Sequence, residues 1–202
     1  METDDVLLTD IQKSFFELLN KHLPKQFLEN IKENGQIKIL SIGCGRLRES
    51  KSVFDYFGDN SKNIKMYGID LDKENLKLAE DEPTIKNHKN QFELKLADAS
   101  NIENYKDWLK DGLFDLIIIR HPEITFNTDV FIEIFSMCPS LLKKDGYVLI
   151  TTHFENEKDA LLPLLKLLKF NLVLCTQNLM APCVVKDDKT LYADKFLLIA
   201  NI

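Results

Sequence analysis

Ile37-Lys38-Ile39-Leu40-Ser41-Ile42-Gly43-Cys44-Gly45 is the stretch on which the fold turns. Six residues rich in apolar and β-branched side chains have the length of a strand covered on both faces, and the Gly-Cys-Gly that follows supplies a tight turn. Outward from it, short β-rich runs alternate with helical periodicity. Leu47, Val53, Phe54 and Phe57 mark a helix ending near Gly58; Met66 to Leu71 is a second strand; Asp72 is placed to cap a helix carrying Leu76 and Ala79. Phe92 to Leu96 alternates strictly, as a strand with one wet face near a sheet edge does. Phe114 to Ile119 is almost wholly apolar and ends at Arg120-His121-Pro122-Glu123. A helix over Asp129 to Leu142, a turn at Lys144-Asp145-Gly146 and a strand from Tyr147 to Thr152 come next. A helix over Leu161 to Leu168 and strands at Leu172 to Thr176 and Phe196 to Ala200 complete the chain.

This order, β-α about five times and then β-β, predicts an α/β fold: a parallel sheet with one antiparallel strand and helices on both faces. Before the first strand, Ile11, Phe15, Leu18 and Leu19 recur at helical spacing, and Phe27, Leu28 and Ile31 follow Pro24 in a second helical stretch. Residues 1–35 therefore read as a helical segment packing on a core that occupies 36–202. No repeat or linker divides the 202 residues. A chain of this length buries roughly 70% of the surface it exposes when unfolded, so its core needs no metal or disulfide.

Composition excludes several classes. With 45% hydrophobic and 29% charged residues, 7 Gly and 6 Pro, the chain is neither disordered nor collagen-like. A formal net charge of −6 disfavours nucleic acid as a partner, because that affinity rests on Lys and Arg displacing phosphate counterions. The leucine-rich stretch Leu161 to Leu174 is interrupted by Pro163, Lys166, Lys169 and Asn171 and is shorter than the roughly 20 apolar residues of a membrane span. The acidic start lacks the basic and apolar regions of a secretion signal. Cys44, Cys138, Cys175 and Cys183 have no C-x-x-C spacing, which points away from a metal site and toward free thiols in the cytoplasm.

In an open parallel sheet, ligands bind at the carboxyl ends of the strands. The residues there are Gly43, Cys44 and Gly45, then Asp70, Asp98, Arg120 to Glu123, and Thr152 with His153. In this order they resemble class I S-adenosylmethionine-dependent methyltransferases. Ile39 to Gly45 resembles the family's first motif, against which the methionine part of the cofactor lies. Tyr67-Gly68-Ile69-Asp70 is similar to the second, whose acid holds the ribose hydroxyls, and Leu96-Ala97-Asp98-Ala99 to the adenine-contacting segment. Phe114-Asp115-Leu116-Ile117 and Leu141 to Leu149 are similar to the fourth strand and to a later helix-turn-strand element. The resemblance implies a Rossmann-like three-layer sandwich, with a mostly parallel seven-stranded sheet and an antiparallel last strand. It also implies S-adenosyl-L-methionine as cofactor, held by Ser41, Gly43, Cys44, Gly45, Asp70, Leu71, Asp98, Ala99 and Arg120.

The residues support this on their own chemistry. Glycines at 43 and 45 let a ligand approach the backbone, an acid at a strand end can accept from two vicinal hydroxyls, and Leu71 offers an apolar face to a base. Plainer roles stand beside these: a tight turn at Gly43, a cap at Asp98, simple packing for Cys44, a surface ion pair for Arg120. Two positions depart from the family pattern. Ser41 stands where an acid is usual, and Leu47 where a third glycine often lies; the missing glycine also counts against a nicotinamide dehydrogenase.

A sulfonium methyl is an activated electrophile, so the protein's task is alignment and water exclusion, with a base as an option. His121 and His153, after neighbouring strands, are the candidate catalytic residues; shaping a turn and starting a helix are their plainer roles. Arg120-His121-Pro122-Glu123 differs from the Asn/Asp-Pro-Pro-aromatic motif of amino-directed DNA and protein-glutamine methyltransferases, which points to another acceptor. Residues 1–35 and the connection Gln177 to Asp194, which holds Met180, Pro182, Cys183, Val184, Val185 and Tyr192, would select it, unless that connection is a plain β-hairpin. The expected activity is methyl transfer to a small-molecule or protein acceptor, with a non-catalytic binding or regulatory module as the alternative.

Overall fold

The computed structural model describes residues 2–25, 27, 29, 35–58, 63–186 and 189–202. Leu28 and Ile31 of the expected second helix lie outside them. Seven strands form one sheet: β1 (Ile37–Ile42), β2 (Ile64–Asp70), β3 (Phe92–Leu96), β4 (Phe114–Arg120), β5 (Leu142–Thr152), β6 (Asn171–Gln177) and β9 (Phe196–Asn201). Their spatial order is β3-β2-β1-β4-β5-β9-β6. β1 to β5 pair in parallel, whereas β9 lies antiparallel between β5 and β6. Strand order reverses at β1, between β2 and β4, which opens a crevice above their carboxyl ends.

The side-chain alternation of β1 builds two cores. Ile37 and Ile39 enter one with Phe15, Leu19, Val53 and Phe57; Leu40 and Ile42 enter the other with Trp108, Phe135 and Leu161. The first is covered by α1 (Glu2–His22) and α2 (Ser50–Phe57), the second by α5 (Lys106–Leu109), α6 (Thr128–Leu141) and α7 (Glu155–Leu167). Two further helices, α3 (Lys73–Glu80) and α4 (Pro83–Asn87), follow β2. Each fully buried Ile or Leu contributes about 1.5–3 kcal/mol, so a sheet covered on both faces supplies the dominant stabilising term. Asp72 caps α3 as expected, accepting from the backbone N–H groups of Glu74 and Asn75. β3 is the wet edge strand.

The structure differs from the sequence expectation at two places. β5 starts at Leu142, so Lys144-Asp145-Gly146 is an irregularity inside a strand rather than a turn before it, with the register on β4 shifting between Phe114 and Leu116. Gly146 is required there, since a β-carbon would meet the Asp115 carbonyl at 2.9 Å. α7 begins at Glu155, well before Leu161, because a Glu157 carboxylate oxygen accepts from both His153 N–H (3.1 Å) and Phe154 N–H (3.0 Å) and organises its first turn. The connection after β6 contains a β-hairpin, β7 (Cys183–Lys186) with β8 (Lys189–Tyr192). The four cysteines are free, and no described helix is long and apolar enough to cross a membrane.

Candidate active site at the carboxyl ends of the strands

The turn after β1 passes through left-handed backbone at Gly43 (φ +61°), Gly45 (+49°) and Leu47 (+50°). At Gly43 and Gly45 a β-carbon would meet nothing within 4 Å, so the space above the turn is open. Leu47 occupies a conformation that costs a residue with a β-carbon about 1–2 kcal/mol, yet it is fully buried, a gain of about 1.5–3 kcal/mol. Packing wins at that position. Cys44 is also a packing residue: its sulfur lies over Gly68, where a β-carbon would come within 2.9 Å of it, and burial pushes its thiol well above the usual range. Asp70 ties β2 to this turn, with Oδ2 accepting from Gly45 N–H (2.7 Å) and Oδ1 from Asp72 N–H (2.8 Å).

A cavity of about 530 Å³ opens above the turn, within the size range of small-molecule sites. Its wall includes Gly43, Asp70, Leu71, Asp98, Ala99, Arg120 and His121 from the expected set, with Ile119, Pro122, Glu123 and Phe131 beyond it. Ser41, Cys44, Gly45 and His153 lie outside the wall. Each Asp70 oxygen keeps a lone pair for a ligand hydroxyl, and Asp98, whose Oδ1 accepts from Ser100, leaves Oδ2 without a described partner. A second cavity of about 560 Å³ between α1 and α2 lies away from the strand ends and contains none of these residues.

Beside the cavity lies a buried charge cluster centred on Arg120. Its Nε and Nη2 donate to Oδ1 (3.0 Å) and Oδ2 (2.6 Å) of Asp194, and Nη1 reaches Glu49 Oε2 at 3.4 Å. Thr151 donates its hydroxyl to Asp194 Oδ1 (2.6 Å), and Ser41 donates its own to Glu49 Oε1 (2.5 Å). The Phe15 ring of α1 lies 4.7 Å from the guanidinium, a cation–π contact through which the N-terminal helix touches the site. Burial alone would raise the Asp194 carboxyl, but Arg120 and then His121 outweigh it and hold it well below the usual carboxylate range. For Arg120 burial works downward, and Asp194 and Glu49 more than compensate. The edge of Arg120 best suited to an anionic ligand is therefore spent on Asp194.

The structure brings the two candidate histidines together: the rings of His121 and His153 stack with centroids 3.6 Å apart. His121 sits at φ +53°. Its Nε2 is 3.1 Å from Asp194 N and 2.9 Å from Asp194 Oδ1. Burial pushes its imidazole down to about 4, Asp194 opposes the shift, and Arg120 and His153 add to it. His153 Nδ1 is 2.7 Å from the Tyr192 carbonyl oxygen.

Glu49, Thr151 and Asp194 are not among the residues expected from sequence. For Asp194 a signal existed. The strand that begins at Phe196 is the reversed one, so its start shares the rim with the other strands' ends. Glu49 had none, since its pairing with Ser41 and Arg120 is tertiary.

Residues 33–194 match the family model described as methyltransferase domain, and the chain belongs to that family. No curated protein matches the sequence. Among solved structures, the chain is similar to an S-adenosylmethionine-dependent methyltransferase from Clostridium acetobutylicum, at 13% identity over 92% of this chain and 95% of that one (TM-score 0.58). It is also similar to magnesium protoporphyrin IX methyltransferase from Synechocystis, solved with bound S-adenosylmethionine, at 13% identity over 96% and 80% (TM-score 0.60). A precorrin 8W decarboxylase from Methanobacterium thermoautotrophicum aligns at 16% identity over 88% and 90% (TM-score 0.56). At these identities the likeness establishes the Rossmann-like fold, and the differing names show that the fold alone does not choose the reaction.

Proposed function

We propose that the protein binds S-adenosyl-L-methionine in the rim cavity and transfers its methyl group to a small-molecule or protein acceptor. The carrying observation is that Gly43, Asp70 and Asp98, each one β-α unit after the last, meet in one cavity of about 530 Å³. The residues fit the cofactor: open space over Gly43 admits the methionine portion, Asp70 receives the ribose hydroxyls, and Asp98 Oδ2 the adenine amine, with Leu71 and Ala99 against the base. When bound, the cofactor supplies an electrophilic methyl, and the chain's own work is to align the acceptor and exclude water. His121, Pro122 and Glu123 belong to the cavity wall, and we assign the acceptor to their side of it. From the segments 1–35 and 177–194, Phe15 lies against Arg120 and Asp194 against His121, and Asn178 Nδ2 donates to Ser14 Oγ (3.1 Å) to join the two segments. We take these two segments to select the acceptor. The net charge disfavours nucleic acid in that role, and the free thiols fit the cytoplasm.

Calorimetry with S-adenosylhomocysteine tests the reading. The wild type is expected to bind one equivalent, and Asp70→Ala to lose about 10- to 100-fold in affinity, the worth of hydrogen bonds to a charged acceptor. No binding at high micromolar ligand overturns it. The second reading, a binding module without turnover, is favoured by Ser41 in the place of an acid. Methylation of any acceptor, abolished by Asp70→Ala, excludes it.

A further inference from the structure

The rim cavity is lined by one sign of charge. Asp70, Asp72, Asp98 and Glu123 stand in its wall against a single cation, Arg120, and among the described residues no lysine and no second arginine lines it. Arg120 is already committed. Its Nε and Nη2 are on Asp194 and its Nη1 faces Glu49, so the trio leaves one negative charge over. His121 contributes no positive charge near neutrality, since burial pushes its imidazole down to about 4. The partial positive charge at the amino end of α6, roughly half a unit, is answered by Asp129 in the first turn. Three of the wall carboxylates have tasks: Asp70 holds the turn after β1 and is offered to the ribose, Asp72 caps α3, and Asp98 is offered to the adenine amine. Glu123 has none. It is exposed, its Oε2 accepts only from Asn127 Nδ2 at a long 3.4 Å, and its Oε1 has no described partner. Pro122, Val130 and Phe131 give the same wall an apolar surface.

We propose that the acceptor is an amine with an apolar body, and that Glu123 is the wall residue that selects it by charge. The proposal rests on the methyl-transfer reading. A carboxylate or phosphate would enter a negative cavity in which no cation is free to pair with it, whereas an ammonium is attracted by every carboxylate of the wall and finds on Glu123 an oxygen ready for a charge-assisted hydrogen bond. The ammonium gives one proton to water before it reacts, which frees the nitrogen's lone pair. That pair forms the N–C bond, the C–S bond breaks with its electrons going to sulfur, and the positive charge passes from sulfur to nitrogen. The wall therefore faces a cation before and after the transfer, and the charge that develops on nitrogen is stabilised where it appears. With an anionic oxygen acceptor the two charges would cancel, and the carboxylates would favour the separated reactants.

Benzylamine and benzoate, close in shape and opposite in charge, test the selection in the full-length protein. In ¹H–¹⁵N amide spectra recorded without cofactor, benzylamine is expected to shift the signals of Ile119 to Phe131 and benzoate to leave them in place. Glu123→Gln should weaken benzylamine about 3- to 10-fold, and added salt should weaken it as well. The substitution leaves the corner intact, because Phe126 and Asn127 donate their N–H groups to the Glu123 backbone carbonyl and not to its side chain. Calorimetry then compares S-adenosylhomocysteine with sinefungin, which carries an amine where the cofactor carries its sulfonium methyl. Sinefungin is expected to bind more tightly, and Glu123→Gln to shrink that margin. Shifts with benzoate equal to those with benzylamine, no shift with either, or a sinefungin margin that Glu123→Gln leaves unchanged overturns the proposal. Failure of S-adenosylhomocysteine to bind while benzylamine is still selected removes the methyl-transfer reading, and the acceptor with it. The amide spectra need no cofactor, so the two failures are told apart.

Discussion

The two ends of the sheet each bury a charge cluster, and they are built on different plans. At the amino end, Lys38 Nζ donates to the carbonyls of Trp108 (2.7 Å) and Gly112 (2.6 Å) and lies against the rings of Tyr67 and Phe114. The two oxygens of Asp115 accept from Lys38 N–H and Lys143 Nζ, each at 2.8 Å. Lys38 and Asp115 find these partners within the cluster itself. At the carboxyl end, Arg120, Asp194 and Glu49 are as deeply buried, yet Nδ1 of His121, Nε2 of His153 and Oδ2 of Asp98 carry no described partner, and two of the residues, His121 and Asp194, sit at positive φ. A cluster that uses up its hydrogen bonds holds a fold together; one that keeps unspent donors and acceptors beside a cavity, on strained backbone, is prepared for a ligand.

Removing one carboxylate from each end should separate the two plans. Asp194→Ala leaves Arg120 buried with only Glu49 at 3.4 Å, and a destabilisation of about 3–5 kcal/mol is expected in urea unfolding. Asp115→Ala strands the backbone N–H of Lys38 but leaves Lys143 free to reach water, so a loss of about 1–3 kcal/mol is expected. Equal losses would erase the distinction.

The rim cluster also carries a pH signature in the acid range. With His121 lowered to about 4 in the folded state against an ordinary 6.5, the unfolded chain binds the extra proton between those values. Stability should therefore rise with pH across that window and fall, by about 3 kcal/mol, as pH drops from 6.5 to 4. His121→Asn should flatten this part of the profile. A profile unchanged by the substitution would assign the acid sensitivity elsewhere. The smallest effect is expected at Leu47→Gly, which relieves the left-handed strain but forfeits a fully buried side chain. A net loss of about 1 kcal/mol shows that packing decides the position, and a gain in stability shows that strain does.

The same contrast explains what was legible in the sequence. Ile37–Ile42 and Phe114–Ile119 declare buried central strands because a sheet covered on both faces leaves a continuous apolar run, and Gly43, Asp70 and Asp98 declare a rim because strand ends are local features. Asp194 was hidden by direction. A rule that inspects the carboxyl ends of strands passes over the start of a reversed one, although β9 brings that start to the same rim. Glu49 was hidden by distance in sequence from Arg120, and the start of α7 by a cap formed from within the helix, where Glu157 reaches back to His153 and Phe154. Local patterns show where ligands can approach, whereas the charges that surround the approach are assembled only by tertiary pairing.

A crystal structure of the protein grown with S-adenosylhomocysteine tests the central claim most directly. The account predicts density in the cavity above Gly43, with ribose hydroxyls on Asp70, the adenine amine at Asp98 Oδ2, and the sulfur end turned toward His121. Density elsewhere, such as between α1 and α2, or an empty cavity at saturating ligand, would contradict it.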